Sequence, residues 1–310
     1  MIFDEVILDD IDEEMNKEYL EELRLGDPKT LEKDVELRVL NLGAGVQSSV
    51  LLMKMLDYEI KRPDVAIFAD TGNEPNEVYD WLNKLIKLCK NEIDIQIVKN
   101  VDNTGNLVQD IQSPSGRHSL IPVHIKGQDG TNGIGRRTCT YEYKIRPVTE
   151  RIRNILNVNN LRGKCVEQVF GISFDEIQRA KRPANKWAIH CYPLVENRIT
   201  RDDCKHYFKH KDIGTPPRSA CIMCPYHDNQ EWKHLKKNYP NEFKKAIEFD
   251  EWLRNGKTDS PYKEKFYKLG KNSKMFIYKG RIPLKEATFE EPSDYQGTLF
   301  DDECEGMCGV

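Results

Sequence analysis

Short apolar segments alternate with helix-length amphipathic segments between residues 38 and 98, and this alternation limits the possible folds more than any other feature. The segments Arg38–Leu42, Asp64–Ala69 and Ile95–Val98 have the length and composition of buried strands. The two segments between them, Val46–Leu56 and Pro75–Lys90, carry apolar residues at helical spacing. Strands joined by helices of this length form parallel sheets with crossover connections. The sequence therefore predicts an α/β fold in which helices flank a parallel sheet.

Further elements follow this region. The sequence predicts a Gly-rich, mobile loop over about 113–136, a helix from Cys139 to about Leu156, and a strand over Val166–Ile172. Thr200 is expected to cap a helix that runs to Lys209, with Asp203 completing a capping box. Two Trp-bearing helices are expected at about 228–237 and 240–254. Before the sheet, a helix around Asp12–Arg24 should end at the Gly-Asp-Pro triplet.

Composition and charge narrow the class of protein. Hydrophobic residues make up 38% of the chain and charged residues 32%, and no apolar run approaches the ~18 residues of a membrane span. The first residues are acidic and precede no small-residue cleavage site, so we expect a cytoplasmic protein without a membrane partner. The whole chain has a net charge of −4, but residues 1–38 alone carry 14 acidic and 5 basic residues. The body is therefore mildly basic, which permits a nucleic-acid or nucleotide partner, although an acidic tail on an ordinary domain explains the charge equally well.

A glycine-rich turn joins the first strand to its helix. It reads Leu42-Gly43-Ala44-Gly45, and Ser48 and Ser49 follow in the first helical turn. Small residues let backbone N–H groups approach an anion at a helix N-terminus, so the turn predicts a phosphate cradle. It is neither a Walker A loop nor a dinucleotide-binding G-x-G-x-x-G motif. The alternative is a plain tight turn.

The second strand ends in Asp70-Thr71-Gly72. Open α/β sheets bind ligands outside the carboxyl ends of their strands. A carboxylate there can hold a ribose hydroxyl, a metal ion or a reacting group, and the alternative is that Asp70 only caps a turn.

Cysteines carry the most specific local signal. The chain has nine, and an odd number in a chain of this type argues against a disulfide framework. Cys221-x-x-Cys224 can present two thiolates to one metal centre. Because no second C-x-x-C is present, a zinc ribbon is poorly supported, although His227 could serve as a zinc ligand. The alternative is that the cysteines, including Cys139 and Cys204, bind no metal.

Taken in chain order, these motifs resemble the iron–sulfur-type members of the phosphoadenosine-phosphosulfate (PAPS) reductase family, a branch of the N-type ATP pyrophosphatases with the PP-loop fold. The resemblance covers roughly residues 38–228. The family's S-G-G-x-D-S loop matches Gly43–Ser48, and its D-T-G strand end matches Asp70–Gly72 with Pro75–Glu77. Its Cys-Cys segment matches Cys139–Val148, and its glycine-led anion segment matches Gly171–Arg179. Its Pro-Leu element matches Pro193-Leu194, and its late C-x-x-C matches Ala220–Pro225.

The resemblance implies a PP-loop fold, ATP with Mg²⁺, and a set of site residues. The residues implied in nucleotide binding are Gly43, Ala44, Gly45, Ser48, Ser49, Asp70, Thr71, Gly72, Gly171 and Arg179. Lys144 and Arg146 would neutralise developing phosphate charge, and Asp70 would help to hold nucleotide or metal. A 4Fe–4S cluster, favoured over zinc, would be bound by Cys139, Cys204, Cys221 and Cys224, with Cys204 replacing the second member of the family's Cys-Cys pair.

Departures from the family pattern shape the expected function. Gln47 replaces the loop's Asp, Thr140 replaces the second Cys, and Ser173 with Phe174 stand where sulfate-reducing members carry arginines. We therefore expect an enzyme that adenylates a nucleic acid or nucleotide with pyrophosphate release, in service of sulfur transfer. Its partners would be a nucleotide substrate and a sulfur-donor protein such as a cysteine desulfurase.

Two alternatives remain open. One is a phosphoadenylyl- or adenylyl-sulfate reductase that uses Cys304 or Cys308 as nucleophile and thioredoxin as partner. The other is a non-catalytic nucleotide- or zinc-binding accessory protein. In each case we expect an acidic N-terminal extension (1–37), a PP-loop domain (38–198), a helical cysteine-bearing region (199–282) and an irregular tail (283–310).

Overall fold

Two β-sheets organise the chain in this computed structural model, which describes residues 24–102, 104–113, 120–127, 130–211, 213–255 and 273–290. The strands are β1 (Leu25–Gly26), β2 (Leu37–Asn41), β3 (Val65–Ala69), β4 (Ile95–Val98), β5 (His124–Lys126), β6 (Asn132–Ile134), β7 (Val166–Phe170), β8 (Ala188–Cys191) and β9 (Lys274–Phe276). The α-helices are α1 (Pro28–Leu31), α2 (Val46–Leu56), α3 (Asn76–Leu88), α4 (Leu107–Gln112), α5 (Arg146–Ile155), α6 (Pro193–Glu196), α7 (Arg201–Lys209), α8 (Asn229–Asn238) and α9 (Pro240–Arg254).

The larger sheet confirms the predicted α/β fold. Its strand order is β1-β8-β7-β2-β3-β4, and all neighbours pair in parallel except β1, which is antiparallel to β8. Because side chains alternate along a strand, Leu40 and Phe68 pack with α2 and α3 on one face. Val39 and Ile67 pack with α5 on the other face. The sheet is therefore covered by helices on both sides.

Helix α7 begins with the predicted capping box. The Thr200 side chain accepts from the Asp203 backbone N–H, and the Asp203 side chain accepts from the Thr200 N–H. Cys204 and Phe208 place α7 in the same core cluster as α2. Although α7 was expected to belong with the helical cysteine-bearing region, it packs on the parallel sheet's helical layer.

The smaller sheet was not expected from the sequence. Strands β5 and β6 pair as an antiparallel hairpin within the segment predicted as a mobile loop, and β9 pairs with β5. This sheet and helices α8 and α9 share a second core cluster. Each strand has only three residues, which is too short for an alternating pattern to stand out.

The N-terminal extension contributes to the sheet through its last residues. Strand β1 and helix α1 lie within the region predicted as an extension, and Arg24 forms an ion pair of 2.6 Å with the buried Glu167. The helix predicted around Asp12–Arg24 lies almost entirely outside the described residues. Among the residues that the structure does describe, no helix is long and apolar enough to cross a membrane.

Candidate functional site

The glycine turn and Gly171 meet at the carboxyl ends of β2 and β7. A Cβ placed on Gly171 would lie 2.7 Å from the Ser48 backbone N and 2.8 Å from its Cα. Real side chains do not approach backbone so closely, so only glycine lets the end of β7 contact the first turn of α2. The resemblance implied that Gly171 binds nucleotide, and the structure places it against the predicted phosphate cradle.

The turn itself brings backbone N–H groups to this edge. Ala44 adopts a positive φ of 57°, and Gly45 is the extended N-cap residue of α2, which has no side-chain cap. The first N–H groups of a helix lack intrahelical partners and attract anions. A Cβ on Gly45 would lie 3.6 Å from the Ser219 Cβ, an ordinary contact, so the turn also touches the segment that precedes Cys221.

The two serines of α2 differ in their surroundings. Ser48 lies 3.4 Å from the Gly45 carbonyl oxygen through its Oγ. Ser49 is fully buried, and its Oγ accepts a hydrogen bond of 2.9 Å from Trp81 Nε1. Its surroundings therefore favour a structural role for Ser49 over the predicted phosphate contact.

A buried polar network links the turn to Arg179. Gln47 Nε2 donates to Ser173 Oγ (3.0 Å) and to Glu176 Oε2 (2.7 Å). Arg179 Nη1 lies 2.9 Å from the same Glu176 oxygen. Within the described part of the chain, the buried guanidinium nitrogens of Arg179 nevertheless make no hydrogen bond. In that part of the chain these N–H groups are donors without acceptors, which is compatible with the predicted role of Arg179 in nucleotide binding.

Both carboxylate oxygens of Asp70 already have partners near the turn that follows β3. Its Oδ1 accepts from the Gly72 backbone N–H and from Tyr79 Oη, both at 2.7 Å, and Oδ2 lies 3.0 Å from Lys99 Nζ. Burial and the adjacent Asp70 carboxylate raise the pKa of Tyr79, so the tyrosine remains a donor. This arrangement supports the turn-capping alternative, and Lys99 balances the carboxylate's charge.

Cys221 reaches the end of β3. Its Sγ lies 3.1 Å from Thr71 Oγ1 and 3.7 Å from Glu74 Oε1, while the Ile222 N–H donates to the Asn73 carbonyl oxygen at 2.8 Å. Burial and Glu74 raise the pKa of the Cys221 thiol, which nearby Lys144 lowers in part. The structure thus brings the predicted Lys144 and Thr71 to one thiol. The sequence reading missed the role of Glu74, and only its position four residues after Asp70 pointed to it.

The predicted set of four cysteine ligands is not assembled. Cys139 and Cys221 pack against the same core cluster, and Cys224 follows Cys221 in one turn. Cys204 is fully buried in the other cluster, beneath α2. Burial and nearby Asp175 raise its pKa to about 12. The side of α7 that carries Cys204 faces the parallel sheet's core, so its surroundings do not favour the predicted ligand role.

The other predicted candidate for a metal ligand is His227. Among the described residues, no three Cys, His, Asp or Glu side chains are gathered as a metal site requires. His227 Nε2 lies 2.9 Å from the Cys221 carbonyl oxygen and Nδ1 lies 3.3 Å from Glu231 Oε2, so both ring nitrogens face oxygen atoms. His227 supports the cysteine segment in this way. Cys304 and Cys308 lie outside the described residues.

Arg146 is surrounded by carboxylates. Its guanidinium forms ion pairs with Asp102, with Glu142 at 3.4 Å and with Glu150 at 3.1 Å. Three acids balance its charge, so its surroundings do not favour the predicted role in neutralising phosphate.

Two cavities adjoin the cysteine segment. One of about 940 Å³ lies between α3, the Pro-rich turn at 215–218 and α8. Another of about 440 Å³ lies beside Gly72, with Ile222 and Met223 in its wall. The larger cavity is lined by His227, the possible zinc ligand, but by none of the residues predicted to bind nucleotide.

Comparisons with known proteins show similarity of fold. No family model matches the chain, and no curated protein matches it. A phosphoadenylyl-sulfate (PAPS) reductase from Candida auris, crystallised as a phosphate complex, matches with a TM-score of 0.38 and 15% identity over 66% of this chain and 90% of that chain. The U34-tRNA thiolase NcsA from Methanococcus maripaludis, which has a 4Fe–4S cluster, matches with a TM-score of 0.38 and 18% identity over 76% and 78%. At these identities and TM-scores, neither likeness assigns an activity to this chain.

Proposed function

We propose that the chain is a PP-loop enzyme that uses ATP to adenylate a nucleic-acid or nucleotide acceptor, in service of sulfur transfer. The observation that carries the proposal is the contact between the cysteine segment and the glycine turn. Gly45 adjoins Ser219, and two residues later Cys221 lies 3.1 Å from Thr71. A thiol thus lies at the sheet edge where an α/β fold binds nucleotide.

The phosphate-binding half of the site consists of backbone and arginine donors. The N–H groups at the start of α2 and the buried guanidinium of Arg179 provide positive potential where triphosphate charge would lie. Adenylation forms a bond from an acceptor oxygen to the α-phosphorus and breaks the bond to the β-phosphate bridge, so pyrophosphate leaves. Fixed donors stabilise the charge that develops on the leaving group, and Mg²⁺ would arrive with the phosphates.

The predicted ligand set of Cys139, Cys204, Cys221 and Cys224 does not fit a 4Fe–4S centre in the described part of the chain, because Cys204 lies in a different core cluster from Cys139 and Cys221. Burial and Glu74 hold the pKa of the Cys221 thiol well above its ordinary value, and nearby Lys144 opposes them only in part, so Cys221 is a neutral thiol at this site. A sulfur-donor protein such as a cysteine desulfurase is the partner class that this proposal requires.

The deciding assay compares two reactions of the full chain. Pyrophosphate release from ATP, with total nucleic acid as acceptor, is measured beside sulfite release from PAPS. We expect pyrophosphate that depends on added nucleic acid, and no sulfite.

A matched variant addresses the reductase alternative. Replacing both Cys304 and Cys308 by Ser removes the two cysteines that the reductase alternative needs and should leave pyrophosphate release unchanged, since adenylation uses neither thiol. Sulfite release that disappears in this variant, without ATP cleavage in either form, would replace the adenylation proposal by the reductase.

A further inference from the structure

The cavity of about 440 Å³ beside Gly72 has a mixed lining. Ile222, Met223 and Phe249 give it apolar walls, and each is more than nine-tenths buried. Five amide side chains also line it, namely Asn73, Asn76, Asn106, Gln109 and Gln112. Small-molecule sites typically combine apolar walls with a few placed polar groups in a volume of this order. The cavity therefore suits a small, flat, polar ligand.

Glu242 gives the cavity an unsatisfied acceptor. The residue is 4% exposed, and its Oε1 accepts a hydrogen bond of 2.9 Å from the Asn76 backbone N–H. Its second oxygen, Oε2, is buried and has no hydrogen-bond partner among the described residues. Buried polar atoms are almost always paired because leaving one unpaired is costly. The missing partner is an N–H or O–H donor that a ligand can bring.

Two of the amides are already held in place. Asn73 Nδ2 donates to Asn106 Oδ1 at 2.9 Å, and Asn106 Nδ2 donates to the Gly72 carbonyl oxygen at 2.8 Å. This bonding fixes the wall next to the strand end. Gln109 and Gln112 are three residues apart on α4 and so lie on one side of it. Amide groups offer both donors and acceptors at the cavity mouth.

The charge of the lining excludes phosphates. Glu74, Glu242 and Glu248 face a single Lys245 among the lining residues, so a triphosphate would be repelled. Carboxylates accept hydrogen bonds from the exocyclic amine of cytosine, and amides pair with adenine. We propose that this cavity binds an amino-bearing nucleobase, through its exocyclic amine donating to Glu242 Oε2.

The location links this base to the thiol. Ile222 and Met223 lie between Cys221 and Cys224, and Glu74 contacts both Thr71 and Cys221. A base in the cavity would lie next to the cysteine segment while phosphates bind at Arg179. The inference rests on the proposed function in taking this base as part of the acceptor, and binding itself can be measured without ATP.

Binding of cytidine and uridine to the full chain, measured by ligand-observed NMR titration, tests the inference. The two nucleosides differ at C4, where uridine has a carbonyl in place of the exocyclic amine of cytidine, and at N3, which carries a hydrogen only in uridine. We expect cytidine to bind at least tenfold more tightly than uridine, and Glu242→Gln to weaken cytidine binding at least tenfold. Glu248→Gln, an exposed residue of the same lining, is the matched control and should change cytidine binding by less than threefold.

A second variant covers the case in which Glu242→Gln fails to fold. Gln109 is exposed on α4, so Gln109→Trp fills the cavity mouth without altering the core and should also abolish cytidine binding. Equal binding of cytidine and uridine, tighter binding of spermidine than of cytidine, or cytidine binding that survives both variants would overturn the inference. Pyrophosphate release by the same wild-type preparation is scored separately, so a chain that binds cytidine without cleaving ATP contradicts the proposed function alone.

Discussion

The two halves of the sheet edge have opposite character. At the ends of β2 and β7, the start of α2 and the guanidinium groups of Arg179 and Arg201 surround a single carboxylate, Glu176. At the end of β3, Glu74 lines one cavity together with Glu248 and the unsatisfied Glu242. One half attracts phosphate and the other attracts hydrogen-bond donors.

This difference in charge separates binding of the triphosphate from binding of the acceptor base, both of which the proposed enzyme requires. Because like charges repel, the carboxylates direct a triphosphate to the basic half, while they accept hydrogen bonds from the donors of a neutral acceptor base. Cys221 lies on the acidic half, and the segment before it contacts the glycine turn on the basic half. The cysteine segment therefore connects the two halves, and substitutions on each side should have different consequences.

Gly171→Ala should have the largest effect, on the basic half. The new Cβ would lie 2.7 Å from the Ser48 backbone N, which forces β7 and α2 apart. We expect ATP affinity to fall more than tenfold and the free energy of unfolding to fall by about 1–3 kcal/mol. Calorimetry with ATP and magnesium, together with urea denaturation, measures both quantities.

Gly133→Ala is the control for this substitution. Gly133 lies in β6 of the smaller sheet, where a Cβ would have its nearest neighbour, Ile125 Cβ, at 3.9 Å. It should leave ATP affinity unchanged. If Gly171→Ala also left ATP affinity unchanged, the phosphate would not bind at this half.

Arg179→Ala should weaken ATP binding by about 10- to 100-fold, because hydrogen bonds to charged groups contribute about 1.5–3 kcal/mol. Arg182→Ala removes an exposed arginine three residues further on and should change the affinity by less than threefold. Equal effects of the two substitutions in the calorimeter would show that only general charge matters.

Cys204→Ala and Cys221→Ala should differ in their effect on bound metal. We expect Cys204→Ala to leave the metal content of anaerobically purified protein as in the wild type, because Cys204 lies in the core beneath α2. It should instead lower the free energy of unfolding by about 1 kcal/mol. Elemental analysis decides the question, since loss of iron in Cys204→Ala together with retention in Cys221→Ala would restore the ligand role predicted for Cys204.

The serines of α2 should show the smallest effects. Ser49→Ala removes the acceptor of the Trp81 Nε1 hydrogen bond, so we expect about 1 kcal/mol less stability and unchanged ATP affinity. Ser48→Ala should change ATP affinity by less than threefold, and it should lower the free energy of unfolding by less than Ser49→Ala does. The opposite pattern, with ATP binding lost in Ser49→Ala, would return Ser49 to the phosphate site.

Local patterns were sufficient to predict most of the parallel sheet. Strands β2, β3 and β4 begin and end within one residue of their predicted bounds, because each is an apolar run between turn-forming residues. The capping box of α7 was likewise predicted from Thr200 and Asp203, since it depends on two side chains three residues apart.

Contacts between distant segments could not be predicted in this way. Strand β9 joins β5 from the far end of the chain, and neither strand is long enough to show a period of two. The spacing of the cysteines likewise does not reveal which core cluster each side of α7 faces. Cys204 was therefore predicted to share a metal site with Cys139 and Cys221, which pack against the other core cluster. The motif around Arg146 predicted a contact with phosphate, but it did not reveal that Asp102, from another loop, forms an ion pair with the guanidinium.

Hydrogen exchange of the full chain with and without ATP and magnesium tests the division of the sheet edge most directly. Bound nucleotide slows exchange where it covers or orders backbone amides. We expect protection of residues 43–49, 171–179 and 219–224, with no change along the exposed side of α8 that lines the cavity of about 940 Å³. Protection confined to residues 215–239, with none at 43–49, would contradict this division, because nucleotide would then bind in the larger cavity and not at the glycine turn.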